Sequence, residues 1–154
     1  MPANPPANMP RVTPIVCYDD PAAALDWLAE AFGFETRLSI PGPDGGIMHA
    51  EMQLADGVVM VGPTSAADAS DHVPAEWHSP KSLDGSVTQS LYVYVDDVDA
   101  HYARARRAGA TIRSEPEDRF YGDRIYVASD PEGHQWTFAQ HVRDVPPEDM
   151  HPPA

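Results

Sequence analysis

The feature that most constrains this chain is that it repeats itself. The stretch RVTPIVCYDD (11–20) is apolar and ends in two aspartates, and SLYVYVDD (90–97) does the same; Asp20 and Asp97 lie 77 residues apart. Each aspartate pair leads into a helical stretch that stops at a glycine, Gly33 in the first copy and Gly109 in the second. In the first helix Asp20 can cap the N-terminus, Pro21 fits the first helical position, and Leu25, Leu28 and Phe32 share a face. In the second, Val98, Tyr102 and Ala105 form the inner face, while Arg104, Arg106 and Arg107 turn mostly to water. The segments after the two helices are also alike. FETRLSI, IMHAEMQL and GVVMVG read as three strands joined by PGPDGG and ADG turns; TIRSE, DRIYVAS and HQWTFAQH are joined by a polar DRFYG segment and by DPEG.

This pattern predicts an α+β fold: two βαβββ modules, residues 10–62 and 90–143, forming a clefted mixed sheet. The connection at 63–89 exceeds the ~12–15 residues usual for a structureless loop, so it is expected to be functional or to span between the halves. The proline-rich ends, 1–9 and 144–154, are expected to be a disordered arm and a flexible tail, because neither buries enough apolar surface to offset its ordering entropy. A length of 154 residues with 42% apolar side chains allows one domain, or one tight pair of half-domains, with a real core.

Charge narrows the partners. Ten basic against 24 acidic residues give a formal charge of −14, which argues against nucleic acid and against an anionic membrane surface. Such a field favours cationic ligands. Cys17 is the one cysteine, which excludes an intrachain disulfide. The opening MPANPPANMP lacks the basic and apolar regions of a signal peptide, so a cytoplasmic location is expected.

Strand alternation sorts the side chains into faces. In IMHAEMQL, Met48, Met52 and Leu54 share one face and His49, Glu51 and Gln53 the other. In SLYVYV, Leu91, Val93 and Val95 oppose Ser90, Tyr92 and Tyr94; in HQWTFAQ, His134, Trp136 and Phe138 alternate with Gln135 and Thr137. The helices are expected to cover the apolar faces. The mixed faces, with their hydroxyl, amide and aromatic groups, are then left to line a shared cleft for a small molecule.

Paired βαβββ modules, each opening on a strand that runs into Asp-Asp, together with HAEM (49–52), FYGDR (120–124) and DPEGHQWTFAQ (130–140), resemble the vicinal oxygen chelate superfamily. That group holds glyoxalase I, extradiol dioxygenases, fosfomycin-resistance transferases and bleomycin-binding resistance proteins, and the match is most similar to its PhnB-like branch. The resemblance covers about residues 10–143 and implies a homodimer. Metal-dependent members hold a divalent cation with His or Glu from the first and last strands of each module. Those positions fall here on Thr13, Val61, Ser90 and Thr137, none of them a strong ligand for a divalent ion. The resemblance therefore implies the branch that needs no metal or other cofactor.

Individual residues carry alternatives. His49 and Glu51, two apart on one strand, are candidates for acid–base chemistry or, with His134, for an unorthodox metal site; the bland reading is a hydrogen-bonded polar pair. Tyr92 and Tyr94 are candidates to stack on a planar or cationic ligand, or else are core residues whose hydroxyls reach water. Trp136 is expected under the second helix. Trp77 and His78 are candidates for a lid or a partner contact, and Phe120, Tyr121 and Arg124 for groups that grip a ligand. Arg124 is matched either to an anionic group or to a salt bridge. Asp96, Asp97 and Asp99 are explained by capping and the helix dipole, Cys17 as an inert thiol, and Asp118, Asp123 and Asp130 as turn residues.

The ligand-binding set is thus Thr13, His49, Glu51, Ser90, Tyr92, Tyr94, Tyr121, Arg124, Gln135 and Thr137. Two functions stay open: a metal-free protein that binds a small molecule such as a cationic antibiotic, or a glyoxalase-like lyase or isomerase using His49 and Glu51.

Overall fold

A computed structural model describes residues 1–65 and 76–154. The middle of the 63–89 connection, residues 66–75, lies outside the described residues. The chain divides into two compact units, Met1–Asp84 and Gly85–Ala154, and each carries one βαβββ module.

In the first unit, β1 (Ile15–Tyr18) leads into α1 (Pro21–Phe32), then β2 (Glu35–Pro41), β3 (Ile47–Leu54) and β4 (Gly57–Pro63). The predicted punctuation of α1 is what forms. The Asp20 carboxylate accepts from the Ala23 amide at 3.1 Å, Pro21 opens the helix, and Gly33 ends it at φ 79°. The sheet order is β1-β4-β3-β2, with β1 parallel to β4 and the other pairs antiparallel. Val16, Tyr18, Ala50, Met52, Val59 and Val61 are buried on the face that meets Leu25, Leu28 and Phe32. Burying a Leu, Val or Phe side chain stabilises by about 1.5–3 kcal/mol, so this one face accounts for much of the unit's cohesion. Met48, expected on this face, is 53% exposed near the strand's start, so the core contacts of β3 begin at Ala50.

The second unit repeats the plan: β5 (Leu91–Tyr94), α2 (Val98–Arg107), β6 (Thr111–Asp118), β7 (Asp123–Ser129) and β8 (Gln135–His141), in the order β5-β8-β7-β6. Asp97 caps α2 by accepting from the Ala100 amide at 2.9 Å, and Arg104, Arg106 and Arg107 in its last turn complement the helix dipole. Val98 and Ala105 are buried and Tyr102 is half-buried; the helix ends at Arg107, with Gly109 just beyond at φ 90°. Tyr126, Ala128, Trp136 and Phe138 are fully buried. The Tyr126 and Phe138 rings stack at 5.4 Å, and His101 of α2 lies over Phe138 at 4.2 Å. This is the helix-bearing face, and Trp136 is on it as expected.

Register shows how close the duplication is. Ile15 pairs with Met60, and Tyr92 with Thr137. Both correspondences, Ile15 to Tyr92 and Met60 to Thr137, keep the offset that separates Asp20 from Asp97. The first-module counterpart of Thr137 is therefore Met60. Val61, placed there by counting from the turn, is fully buried on the helix-bearing face, because the two hairpins differ by one residue.

Among the described residues, no helix is long and apolar enough to cross a membrane.

Candidate ligand-binding face

The side of the second sheet away from α2 is built by alternation. Tyr92 and Tyr94 of β5 project there beside Thr137 and Ala139 of β8; the next rungs bring Val127 and Ile125 of β7, and the last pairs Asp123 with His141. Asp123 is the hub. Its side chain is nearly buried, at 4% residue exposure. One carboxylate oxygen, Oδ2, accepts from the hydroxyls of both Tyr92 (2.7 Å) and Tyr94 (2.9 Å). The other, Oδ1, meets Nδ1 of His141 at 2.8 Å, and Nε2 of the same ring meets Oδ1 of Asp144 at 2.9 Å. Tyr121 adds a hydroxyl beside that of Tyr92.

The electrostatics follow from these contacts. Burial pushes the Asp123 carboxyl upward, but donation from His141, Tyr92 and Tyr94 outweighs it and holds the group below its ordinary range. Burial, then the bond to Asp123, raises the Tyr92 phenol; for Tyr94 the bond to Asp123 comes first. Asp144 and then Asp123 raise the His141 imidazole. Both phenols therefore keep their protons and spend them on Asp123. Toward a ligand their oxygens offer lone pairs alone, and a phenol donating to a carboxylate has a more electron-rich ring. The two rings meet edge to face at 5.5 Å and are 46% and 61% exposed. Such a surface suits a planar cation or an N–H donor.

The turn before β7 is locked in place. Gly122 sits at φ 104°, and a Cβ there would run into the Arg143 carbonyl. Its own carbonyl accepts from the amides of Val142 and Arg143 at 3.0 and 3.1 Å. The Arg143 guanidinium donates to the carbonyls of Arg119 and Phe120. The chain just past β8 thus clasps the loop that delivers Tyr121 and Asp123.

The remaining predicted residues fall elsewhere. Gln135 opens β8 and Ser90 stands exposed just before β5. Arg124 points to the opposite side of β7 from Asp123, with Nε donating to both Asp99 oxygens, Nη2 donating to Asp99 Oδ1, and Nη1 donating to Asp118. It straps α2 to β6, which is the salt-bridge reading. Asp130 is more than a turn residue: at 4% exposure it accepts from the amides of Glu132 and His134 and from the indole Nε1 of Trp136 at 3.1 Å.

In the first unit, His49 and Glu51 share the side of β3 away from α1, 3.7 Å apart. Arg37 holds Glu51 at 3.2 Å and also donates to the Asn8 carbonyl at 2.9 Å. The Thr13 hydroxyl, before β1, donates to the Pro10 carbonyl. Trp77 is half-buried and pairs with Ser65 through two backbone bonds; His78 is exposed and bonded to Glu76. Cys17 donates to the His78 carbonyl at 3.0 Å.

Asp123, His141 and Asp144 were not singled out by sequence reasoning as site residues. The signal was present: β7 begins with Asp, β8 ends with His, and a hairpin in register about DPEG sets the first residue of one against the last of the other. Among the described residues no three His, Cys, Asp or Glu side chains gather as a metal site. The strand positions that the resemblance assigns to a cation hold Thr13 and Met60 in the first unit and Ser90 and Thr137 in the second, and hydroxyl and thioether side chains are poor ligands for a divalent ion.

Comparison with known proteins agrees with this fold. The family model described as Glyoxalase/Bleomycin resistance protein/Dioxygenase superfamily matches residues 9–138. Uncharacterized protein Mb0911c of Mycobacterium bovis is 36% identical over 140 residues, covering 88% of this chain and 86% of its own length. TioX from Micromonospora sp. ML1 superposes with a TM-score of 0.67 at 34% identity, over 85% of this chain and 99% of its own. A glyoxalase/bleomycin resistance protein/dioxygenase from Nocardioides gives a TM-score of 0.64 at 18% identity, over 90% and 89% of the two chains. With its two βαβββ modules and these matches, the chain belongs to the glyoxalase/bleomycin resistance protein/dioxygenase superfamily.

Proposed function

We propose that the protein binds a small planar cation without a metal, in the manner of the resistance proteins of its superfamily. One observation carries this reading: two exposed tyrosine rings whose hydroxyl protons are both committed to a nearly buried carboxylate. The arrangement fixes the rings and enriches them in electrons. A formal charge of −14 draws cations toward it. The strand positions that would hold a catalytic cation carry hydroxyl and thioether groups, and Glu51 beside His49 is already paired with Arg37. Both features favour binding over turnover.

The test is a fluorescence titration with N-methylacridinium, a permanently charged planar cation, against the wild type and Tyr92→Ala/Tyr94→Ala. Saturable one-to-one binding that is lost in the double variant supports the reading. Equal binding by both proteins, or none by the wild type, refutes it.

A further inference from the structure

Both ring nitrogens of His141 face carboxylates, Nδ1 toward Asp123 and Nε2 toward Asp144. A neutral imidazole has one N–H and one lone pair, so it satisfies one of these contacts and sets a lone pair against a carboxylate at the other. Only the imidazolium donates to both. That positive ring is wired to the tyrosine face through a single group, because the Asp123 oxygen it does not touch holds both phenols.

Resting on the reading above, we propose that His141 is the positioning residue of the tyrosine face, and that a cation settling on Tyr92 and Tyr94 drives one proton off His141 into the surrounding buffer. The bond that breaks is N–H at Nε2, on the exposed side facing Asp144; Nδ1 keeps its proton on Asp123. The neutral ring then still orients Asp123 while it stops repelling the ligand. The proton and the cation compete, and by linkage each weakens the other by the same factor.

The surroundings of the ring fit this role. From β7 comes Asp123, from the chain past β8 come Asp144 and Arg143, and from β5 come Tyr92 and Tyr94 by way of Asp123. The turn before β7 lays Gly122 against the ring and brings Tyr121 and Arg119 with it. The Arg143 guanidinium is engaged with the backbone carbonyls of Arg119 and Phe120. The two carboxylates in direct contact favour the imidazolium in the free protein, and an arriving positive charge opposes it.

Two measurements test this. The first needs no ligand: the His141 ring resonances are titrated by NMR in the wild type and in Tyr92→Phe/Tyr94→Phe. Loss of both phenol donors concentrates the Asp123 charge on His141, so the titration midpoint should move up; an unmoved midpoint overturns the proposal. The second is N-methylacridinium binding followed across pH, with calorimetry in buffers of different ionisation enthalpy. Affinity should rise about fivefold as pH passes upward through the His141 midpoint, with proton release on binding. In His141→Gln the pH dependence and the released proton should both vanish. If His141→Gln instead weakens binding equally at every pH, the histidine is only structural and the proposal falls. If the midpoint moves but N-methylacridinium does not bind, the ligand class is wrong and the coupling falls with it, while the link between His141 and the tyrosines stands.

Discussion

Replacing Asp123 by asparagine keeps the shape of the side chain and removes its charge, which isolates what the carboxylate contributes. In the folded protein it accepts from two phenols and meets one imidazole nitrogen. The net contribution of a hydrogen bond to a charged group is about 1.5–3 kcal/mol. The phenol rings are half open to water, so their hydroxyls regain solvent partners when the carboxylate goes, and the asparagine oxygen still accepts from one of them. The loss of one such phenol bond puts the cost of Asp123→Asn at about 1.5–3 kcal/mol. For a chain of this length each kcal/mol moves Tm by about 2–4 °C, so a drop of about 3–12 °C is expected. Urea unfolding followed by tryptophan fluorescence gives the free energy directly. The same substitution made on Tyr92→Phe/Tyr94→Phe should cost less than half as much, because the phenol donors are already gone. Equal cost in the two backgrounds would mean that the phenol bonds contribute nothing, and the account of the hub would fail. Acid supplies a second check. The Asp123 carboxyl is held below its ordinary range in the fold, so its contribution is present above the unfolded carboxylate pKa and is lost as pH falls through the folded value. The gap between wild type and Asp123→Asn should close on acidification.

Further outcomes are expected. Gly122→Ala should prevent folding or cost more than about 3 kcal/mol, since the residue combines φ 104° with the Arg143 carbonyl in the path of a Cβ; circular dichroism and thermal melts read this directly. Asp130→Ala strips the acceptor from the buried Trp136 indole and should destabilise by about 2–4 kcal/mol, with an altered tryptophan emission. Arg124→Ala should cost about 1 kcal/mol or less by urea unfolding, because its ion pairs with Asp99 and Asp118 are largely solvent-exposed. His141 is raised above the ordinary imidazole range, so its contribution is complete below the unfolded pKa and is lost as pH rises through the folded one. A wild-type Tm that falls toward alkaline pH more steeply than that of His141→Gln would show this.

The fold was legible because its signals are local and doubled. Asp20 with Pro21 and Gly33, and Asp97 with its basic last turn, mark both helices without reference to anything distant. Alternation in SLYVYV and HQWTFAQ was enough to turn Tyr92, Tyr94 and Thr137 to one side. The site itself was half legible. Asp123 read as a turn residue because its role depends on His141, 18 positions later, and on tyrosines some 30 positions earlier; spacing within one segment carries no such information. Arg124 read as a ligand-gripping group for the complementary reason, since only the strand phase relative to α2 turns it toward Asp99. Val61 was misplaced by one because a turn is a poor origin for counting, whereas the ladder itself preserves the repeat.

The in-step ladders of the two halves set two different walls on one scaffold. Ile15, Cys17 and Met60 occupy the places that Tyr92, Tyr94 and Thr137 occupy in the other copy. One half therefore serves as an internal control for the other, the same scaffold with aliphatic and sulfur side chains where its twin holds phenols and a hydroxyl. The scaffold thus presents two chemically different walls, and substitutions on either can change its exposed groups while the packed side of each sheet stays untouched.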